Sequence, residues 1–217
     1  MSIPVLIIPV LNRFDLLEKS LESIDHPIDN ILIINNAKEE YTPSRKDLNI
    51  HILHMPSNQG ISGSWNLGIK SFPHSSWWLI SSADTSFKPG SLNRFEELSG
   101  PSKFVKSIAS YSCFSLGEEI VKNVGLFDEY IYPAYYEDND YDDRVHLAGL
   151  SHMFEAEGID VDDSGGSQTI KSDPSLSSMN SQTFVKNREY YNNKKTSGDY
   201  TVRGWDLTRR RENEWLK

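Results

Sequence analysis

Three stretches of this chain gather side chains able to do chemistry. The first is SADTSFKPG, residues 82–90, which follows the apolar run WWLI. An aspartate just after a strand is ordinarily a turn or capping residue. At the carboxyl end of a central strand, however, Asp84 is placed to hold a divalent cation against a diphosphate. The second is PAYYEDNDYDDR, residues 133–144, which packs Glu137, Asp138, Asp140, Asp142 and Asp143 close together. Like charges at helical spacing repel unless the first of them lie in the amino-terminal turn, where the helix dipole favours them. A solvated acidic helix start is the commoner meaning of such a cluster. Here Tyr135 and Tyr136 stand directly before it, and aromatic walls beside paired carboxylates suit sugar hydroxyls and a general base.

The third stretch is SNQGISGSWNLGIK, residues 57–70. Its Gly60, Gly63 and Gly68 match neither the dinucleotide fingerprint nor the phosphate-binding loop. A helix starting near Ser62 still offers backbone N–H groups to a phosphate or ribose. Tight turns and close helix packing account for the same glycines equally well.

Other chemistries are disfavoured. His26, His51, His54, His74, His146 and His152 lack metal-ligand spacing, so zinc is not expected. No Gly-x-Ser-x-Gly elbow is present, which argues against a serine hydrolase. A formal net charge of -9 opposes a nucleic-acid partner, and Arg209, Arg210 and Arg211 form the only compact basic run. Cys113 is the single cysteine, so no internal disulfide forms. The opening IPVLIIPVL lacks a basic leader and is too short to span a bilayer. A soluble, cytoplasmic protein without a transmembrane segment is the expectation.

The elements that must position these residues follow from the apolar pattern. Ile3–Ile8 reads as a strand covered on both faces, with further strands at Ile31–Ile34, Ile50–Leu53 and Trp77–Ile80. Phe14, Leu17, Leu21 and Ile24 fall on one helix face, and Ser62–Lys70 suits another helix. Helices are also expected from Pro89 onward, at Glu118–Val124 and at Glu137–Ala148, the last two ending at glycines. The stretch DDSGGSQTIKSDPSLSSMNS reads as a long loop, either a lid or a disordered connection, with FVKNREYYNNKK as a helix behind it. Alternating strands and helices imply a parallel sheet, and ligands of such sheets bind beyond the carboxyl ends of the strands. The loops VLNR, NNAKE and SSADTS should therefore converge. At 217 residues, the chain suits one large α/β domain with a modest extension: residues 1–170, then 171–217 packing on or near the active site.

Read in order, VLIIPVLNRFDLLEKSLESI, ILIINNA, PSNQGISGSWNLGI, WWLISSADTSFKPG and VGLFDEYIYPAYYEDNDYDDRVHLAG resemble family 2 glycosyltransferases, particularly their rhamnosyltransferase-like branch. The resemblance runs over about residues 3 to 150. It implies an α/β GT-A fold, a Rossmann-like α/β/α sandwich with a mostly parallel central sheet. It also implies a metal-dependent, inverting transfer from a UDP- or dTDP-linked sugar to an acceptor hydroxyl on a glycan, a lipid-linked saccharide or a protein. By similarity, Pro9, Val10, Leu11 and Arg13 line the nucleotide pocket, Asn35 and Asn36 reach the base, and Asn58, Gly63 and Asn66 border the ribose and phosphates. Ser82 and Asp84 occupy the metal motif, with Asp163 as a further ligand for Mn or Mg. Trp65, Tyr135 and Tyr136 face the sugars, Asp138 serves as base, and Glu137 orients the acceptor or donor. Three positions depart from the family pattern. Asn35 replaces an aspartate, Ser82 replaces an Asp or Asn, and Asp162, Asp163 and Ser164 stand where a late histidine is common. A GT-A-like nucleotide-sugar-binding module without transfer activity is the alternative reading, and the oligomeric state stays open.

Overall fold

In the computed structural model, residues 2–204 are described, apart from the side chains of residues 155–157. The basic run Arg209, Arg210 and Arg211 lies outside the described residues. The chain opens with β1 (Leu6–Val10), α1 (Phe14–Glu22), β2 (Ile31–Asn35), β3 (Ile50–His54), α2 (Gly60–Ser71) and β4 (Trp77–Ser81). β1 pairs in parallel with both β2 and β4, and β2 pairs in parallel with β3. Successive strand residues point to opposite faces, so a strand covered on both sides must be apolar throughout. In β1, Leu6, Ile8 and Val10 join Leu17 and Leu21 of α1 in one core layer, while Ile7 joins Trp65 and Ile69 of α2 in the other.

The second half adds β5 (Ser86–Phe87), α3 (Ser91–Leu98), β6 (Phe104–Ser107), β7 (Ser110–Gly117), α4 (Glu118–Val124) and α5 (Glu137–Leu147). Then come β8 (Phe154–Ile159), β9 (Val161–Asp162), α6 (Gln168–Lys171) and α7 (Pro174–Ser197). The main sheet has the order β3-β2-β1-β4-β7-β6-β8. Only β7 runs against its neighbours, β4 and β6, so the sheet is mostly parallel. Helices cover both faces, giving the expected α/β/α sandwich. Separately, β5 pairs antiparallel with β9 in the register Ser86↔Asp162. That small ribbon brings the loop after β4 beside residues 160–163.

Several boundaries differ from the sequence reading, each for a local reason. The first strand starts at Leu6, because Pro4 has no N–H for the ladder, and Ile3 makes only an isolated bridge to Ile28. The helix expected from Pro89 begins at Ser91, since Gly90 sits at φ 81 and is not helical. The stretch read as a long loop contains α6 and the first turns of α7. Asp173 caps α7, accepting from the N–H groups of Ser175 and Leu176 at 2.8 and 3.2 Å, with Pro174 as the first helical residue. β6 and β7 had no counterpart in the apolar pattern, because polar residues interrupt SIASYSCFS.

α7 is unusual in what it buries. Thr183, Asn187, Tyr191 and Lys194 are its buried residues, so the inward face is mainly polar. It is held by hydrogen bonds and ion pairs together with the packing of Phe184 and Tyr191 on Tyr136, without a continuous apolar stripe. Among the described residues, no helix is long and apolar enough to cross a membrane.

Candidate active site

Beyond the carboxyl ends of β1 and β4 lies a cavity of about 310 Å³. It is lined by Pro9, Val10 and Leu11 at the end of β1, with Asn36 after β2 and Asn58 before α2. Ser82, Ala83 and Asp84 enter from the loop after β4, and Trp65 of α2 joins the lining. Tyr135, Glu137 and Asp138, from the start of α5 and the turn before it, line the same cavity. One cavity thus collects eleven of the residues singled out from the sequence: Pro9, Val10, Leu11, Asn36, Asn58, Trp65, Ser82, Asp84, Tyr135, Glu137 and Asp138.

The other six stand outside the lining. Asn35 is fully buried and turns inward, its Oδ1 accepting from Ala37 N at 2.9 Å and its Nδ2 donating to Glu39 O at 2.8 Å. Asn66 clamps the chain before α5, accepting from Phe127 N and donating to Phe127 O, both at 2.8 Å. Gly63 lies within α2. Arg13 precedes α1 at φ 57 and pairs with Asp15 at 2.7 Å. Tyr136 packs on Phe184 and Tyr191 at ring separations of 5.1 and 5.6 Å. Asp163 accepts from Gly165 N at 3.1 Å in the turn after β9.

Asp84 is 8% exposed and its Oδ2 accepts from Gln168 N at 2.9 Å. Burial raises its carboxyl above the usual carboxylate range, and the charge of Asp163 pushes the same way. The Gln168 N–H and Lys171 pull against that rise. Glu137 is pushed up to about 8, chiefly by burial and then by the charge of Asp138. Its Oε2 has no hydrogen-bond partner among the described residues. Burial also raises Asp138, whose Oδ1 accepts from Asn139 N at 2.8 Å. Lys106 tempers that rise. Its ammonium pairs with Asp142 at 2.6 Å and lies over the Tyr111 ring at 4.3 Å.

Sequence reasoning missed part of the lining. Tyr111 and Ser112 come from the start of β7, and Ser167, Thr169 and Ile170 come from the α6 turn. That turn is tied across the cavity: Tyr135 OH donates to Ser167 Oγ at 3.1 Å, and Asn12 Nδ2 donates to Thr169 O at 3.1 Å. The Asp-Pro step at residues 173–174 was the available signal that ordered structure follows closely.

Among the described residues, no three His, Cys, Asp or Glu side chains form a metal cluster. A magnesium-type cation bound mainly through substrate phosphates needs only one or two carboxylates. The β5–β9 ribbon brings Asp84 and Asp163 to its same end, where the charge of Asp163 acts on Asp84, and these two carboxylates could be offered to such a cation.

Residues 5–100 match the profile of glycosyl transferase family 2. No curated protein sequence matches the chain. Among solved structures, the mannosyltransferase PcManGT from Pyrobaculum calidifontis, in complex with GDP-Man and Mn2+, is similar with a TM-score of 0.53 and 15% identity, over 71% of this chain and 53% of that one. TarS from S. aureus gives 0.56 at 13% identity, over 73% and 35%. A Drosophila galactosyltransferase 7 mutant, in complex with manganese, UDP-Gal and xylobiose, gives 0.51 at 12% identity, over 72% and 65%. The chain thus spans about half the length of the mannosyltransferase. At these identities the likeness is one of fold. The chain therefore has the GT-A fold and carries the glycosyl transferase family 2 pattern over residues 5–100.

Proposed function

We propose that this protein is a glycosyltransferase, moving a sugar from a nucleotide-sugar donor to an acceptor hydroxyl with inversion at the anomeric carbon. The observation that carries the reading is the placement of Asp84 and the Glu137–Asp138 pair in the lining of one cavity. The family 2 match and the nucleotide-sugar complexes of the fold neighbours support it.

In this reading Pro9, Val10, Leu11, Asn36 and Asn58 cradle the base and ribose of a UDP- or dTDP-linked donor. Mn or Mg held by Asp84 with Asp163 would supply neutralising charge for the leaving diphosphate. The acceptor oxygen attacks the anomeric carbon, the bond from that carbon to the diphosphate oxygen breaks, and the hydroxyl proton passes to Asp138. An alcohol is a poor nucleophile, and a positioned base typically contributes about 10²–10⁴-fold. Glu137, protonated at neutral pH, donates a hydrogen bond to a sugar oxygen. Tyr135 and Trp65 wall the sugars. A hexosyl donor, the rhamnosyltransferase-like branch and a division into residues 1–170 and 171–217 belong to the same proposal. So does the acceptor, a glycan, a lipid-linked saccharide or a protein.

A second reading, a nucleotide-sugar-binding module without transfer, is favoured by two features. Ser82 stands where an acid would, and Asp84 already accepts from Gln168. Thermal shift and nucleotide release with UDP-, GDP-, dTDP- and CMP-sugars, with and without Mn or Mg, separate the two. Metal-dependent stabilisation with free nucleotide released is the expected outcome. Stabilisation without release would favour the module, and no shift with any donor would overturn both.

A further inference from the structure

The polar face of α7 reaches the turn that launches the acidic helix. Asn187, fully buried, donates from Nδ2 to Ala134 O at 2.9 Å and to Tyr135 O at 3.3 Å. The next two residues on which the start of α5 depends, Tyr135 and Tyr136, stand at φ 72 and 78. Side-chain-bearing residues in that left-handed region are strained and persist only where their surroundings hold them. The holding contacts come from two sides. From α2, Ile61 N donates to Pro133 O at 2.7 Å. From α7, Phe184 packs on the rings of Tyr135 and Tyr136 at 5.6 and 5.1 Å. Within α5 itself, Asp140 N donates to Tyr136 O at 3.0 Å. Every carbonyl from Pro133 to Tyr136 is therefore engaged, the middle two by Asn187.

We propose that Asn187 is a positioning residue for the transfer reaction: by holding the carbonyls of Ala134 and Tyr135 it fixes where α5 begins, and so aims Glu137 and Asp138 into the cavity. The inference rests on the glycosyltransferase reading above. An amide suits the task because it donates through one nitrogen to two carbonyls. An alanine removes both of these bonds at a part-buried turn, and an aspartate turns an acceptor towards acceptors.

The test compares Asn187→Ala and Asn187→Asp with the wild type and with Leu92→Val, a core change on α3. Release of UDP from UDP-glucose and of dTDP from dTDP-glucose gives kcat, titration with UDP gives affinity, and amide hydrogen exchange reports residues 134–140. The expected result is a kcat loss of about tenfold or more in both Asn187 variants, with UDP affinity within about threefold and exchange accelerated at 134–140. Leu92→Val should keep the wild-type kcat despite a lower melting temperature. Unchanged kcat in the Asn187 variants, or losses that follow melting temperature in all three, would overturn the proposal. If the wild type releases nucleotide from neither donor, exchange alone decides the link, and the transfer reading is judged by the four-nucleotide screen above. Acceleration confined to 134–140 would keep the coupling of α7 to α5, and unchanged exchange would overturn it.

Discussion

The carboxylate of Asp84 accepts a hydrogen bond of 2.9 Å from the backbone N–H of Gln168. The loop behind β4 and the α6 turn are thereby joined at the carboxylate proposed to hold the cation. Asp84→Asn keeps the shape of the side chain and removes its charge. The expected effect is a loss of about tenfold or more in Mn affinity, read from the Mn dependence of thermal stabilisation by UDP-glucose. Ser82→Asp, which adds a carboxylate two residues earlier, should tighten Mn binding. Full Mn dependence retained in Asp84→Asn would remove Asp84 from the ligand set.

Asp138→Asn should lower transfer by about 10²–10⁴-fold while donor affinity changes little, because an amide cannot take the acceptor proton. Steady-state rates beside direct titration with UDP check this. Turnover close to wild type would move the base elsewhere.

Glu137 makes stability depend on pH. Folded, it keeps its proton up to about pH 8, whereas its ordinary value is 4.5. The folded state thus binds the extra proton between those values. This contribution is complete below the lower value, declines as pH rises by up to about 1.4 kcal/mol per unit, and is lost above the upper one. Glu137→Gln should flatten that decline and make the protein more stable than wild type on the alkaline side. Urea unfolding across the window measures it, and parallel curves for the two proteins would mean that Glu137 ionises freely in the fold.

Lys194 pairs with Asp128 and Asp140, each at 2.6 Å, and both carboxylates are fully buried. Lys194→Met leaves those charges without their shared cation and should cost about 3–5 kcal/mol. At about 2–4 °C per kcal/mol for a chain of this size, the melting temperature falls by about 6–20 °C. Adding Asp128→Asn should recover part of the loss. A drop of the same size in the double variant would point to packing of the lysine stem instead.

What the sequence made legible follows the strength of its apolar signals. β1, β2 and β4 stood out because a parallel strand covered on both faces is apolar at nearly every position, whereas the edge strand β3 showed only through Ile50, Ile52 and Leu53; the loops behind β2 and β4 brought Asn36, Ser82 and Asp84 with them. β7 did not stand out. Ser110, Ser112 and Ser115 interrupt it, and the fully buried Ser115 is satisfied by Ser99, whose Oγ lies 2.5 Å from its own. The start of α7 was hidden for a related reason: its first turns, PSLSSMNS, are rich in serine and carry little apolar periodicity. Asn35 and Asn66 show the reverse limit, since their side chains hydrogen-bond within the fold rather than facing the cavity. Sequence position near a strand end does not tell which way an amide turns.

The lone thiol has a practical consequence. Cys113 is enclosed in the core and burial pushes it up to about 12, so at neutral pH it presents neither access nor thiolate to an alkylating reagent. A cysteine introduced at the exposed Ile108 would then be the preferred site of attachment for a fluorophore or spin label, and the native thiol need not be removed first.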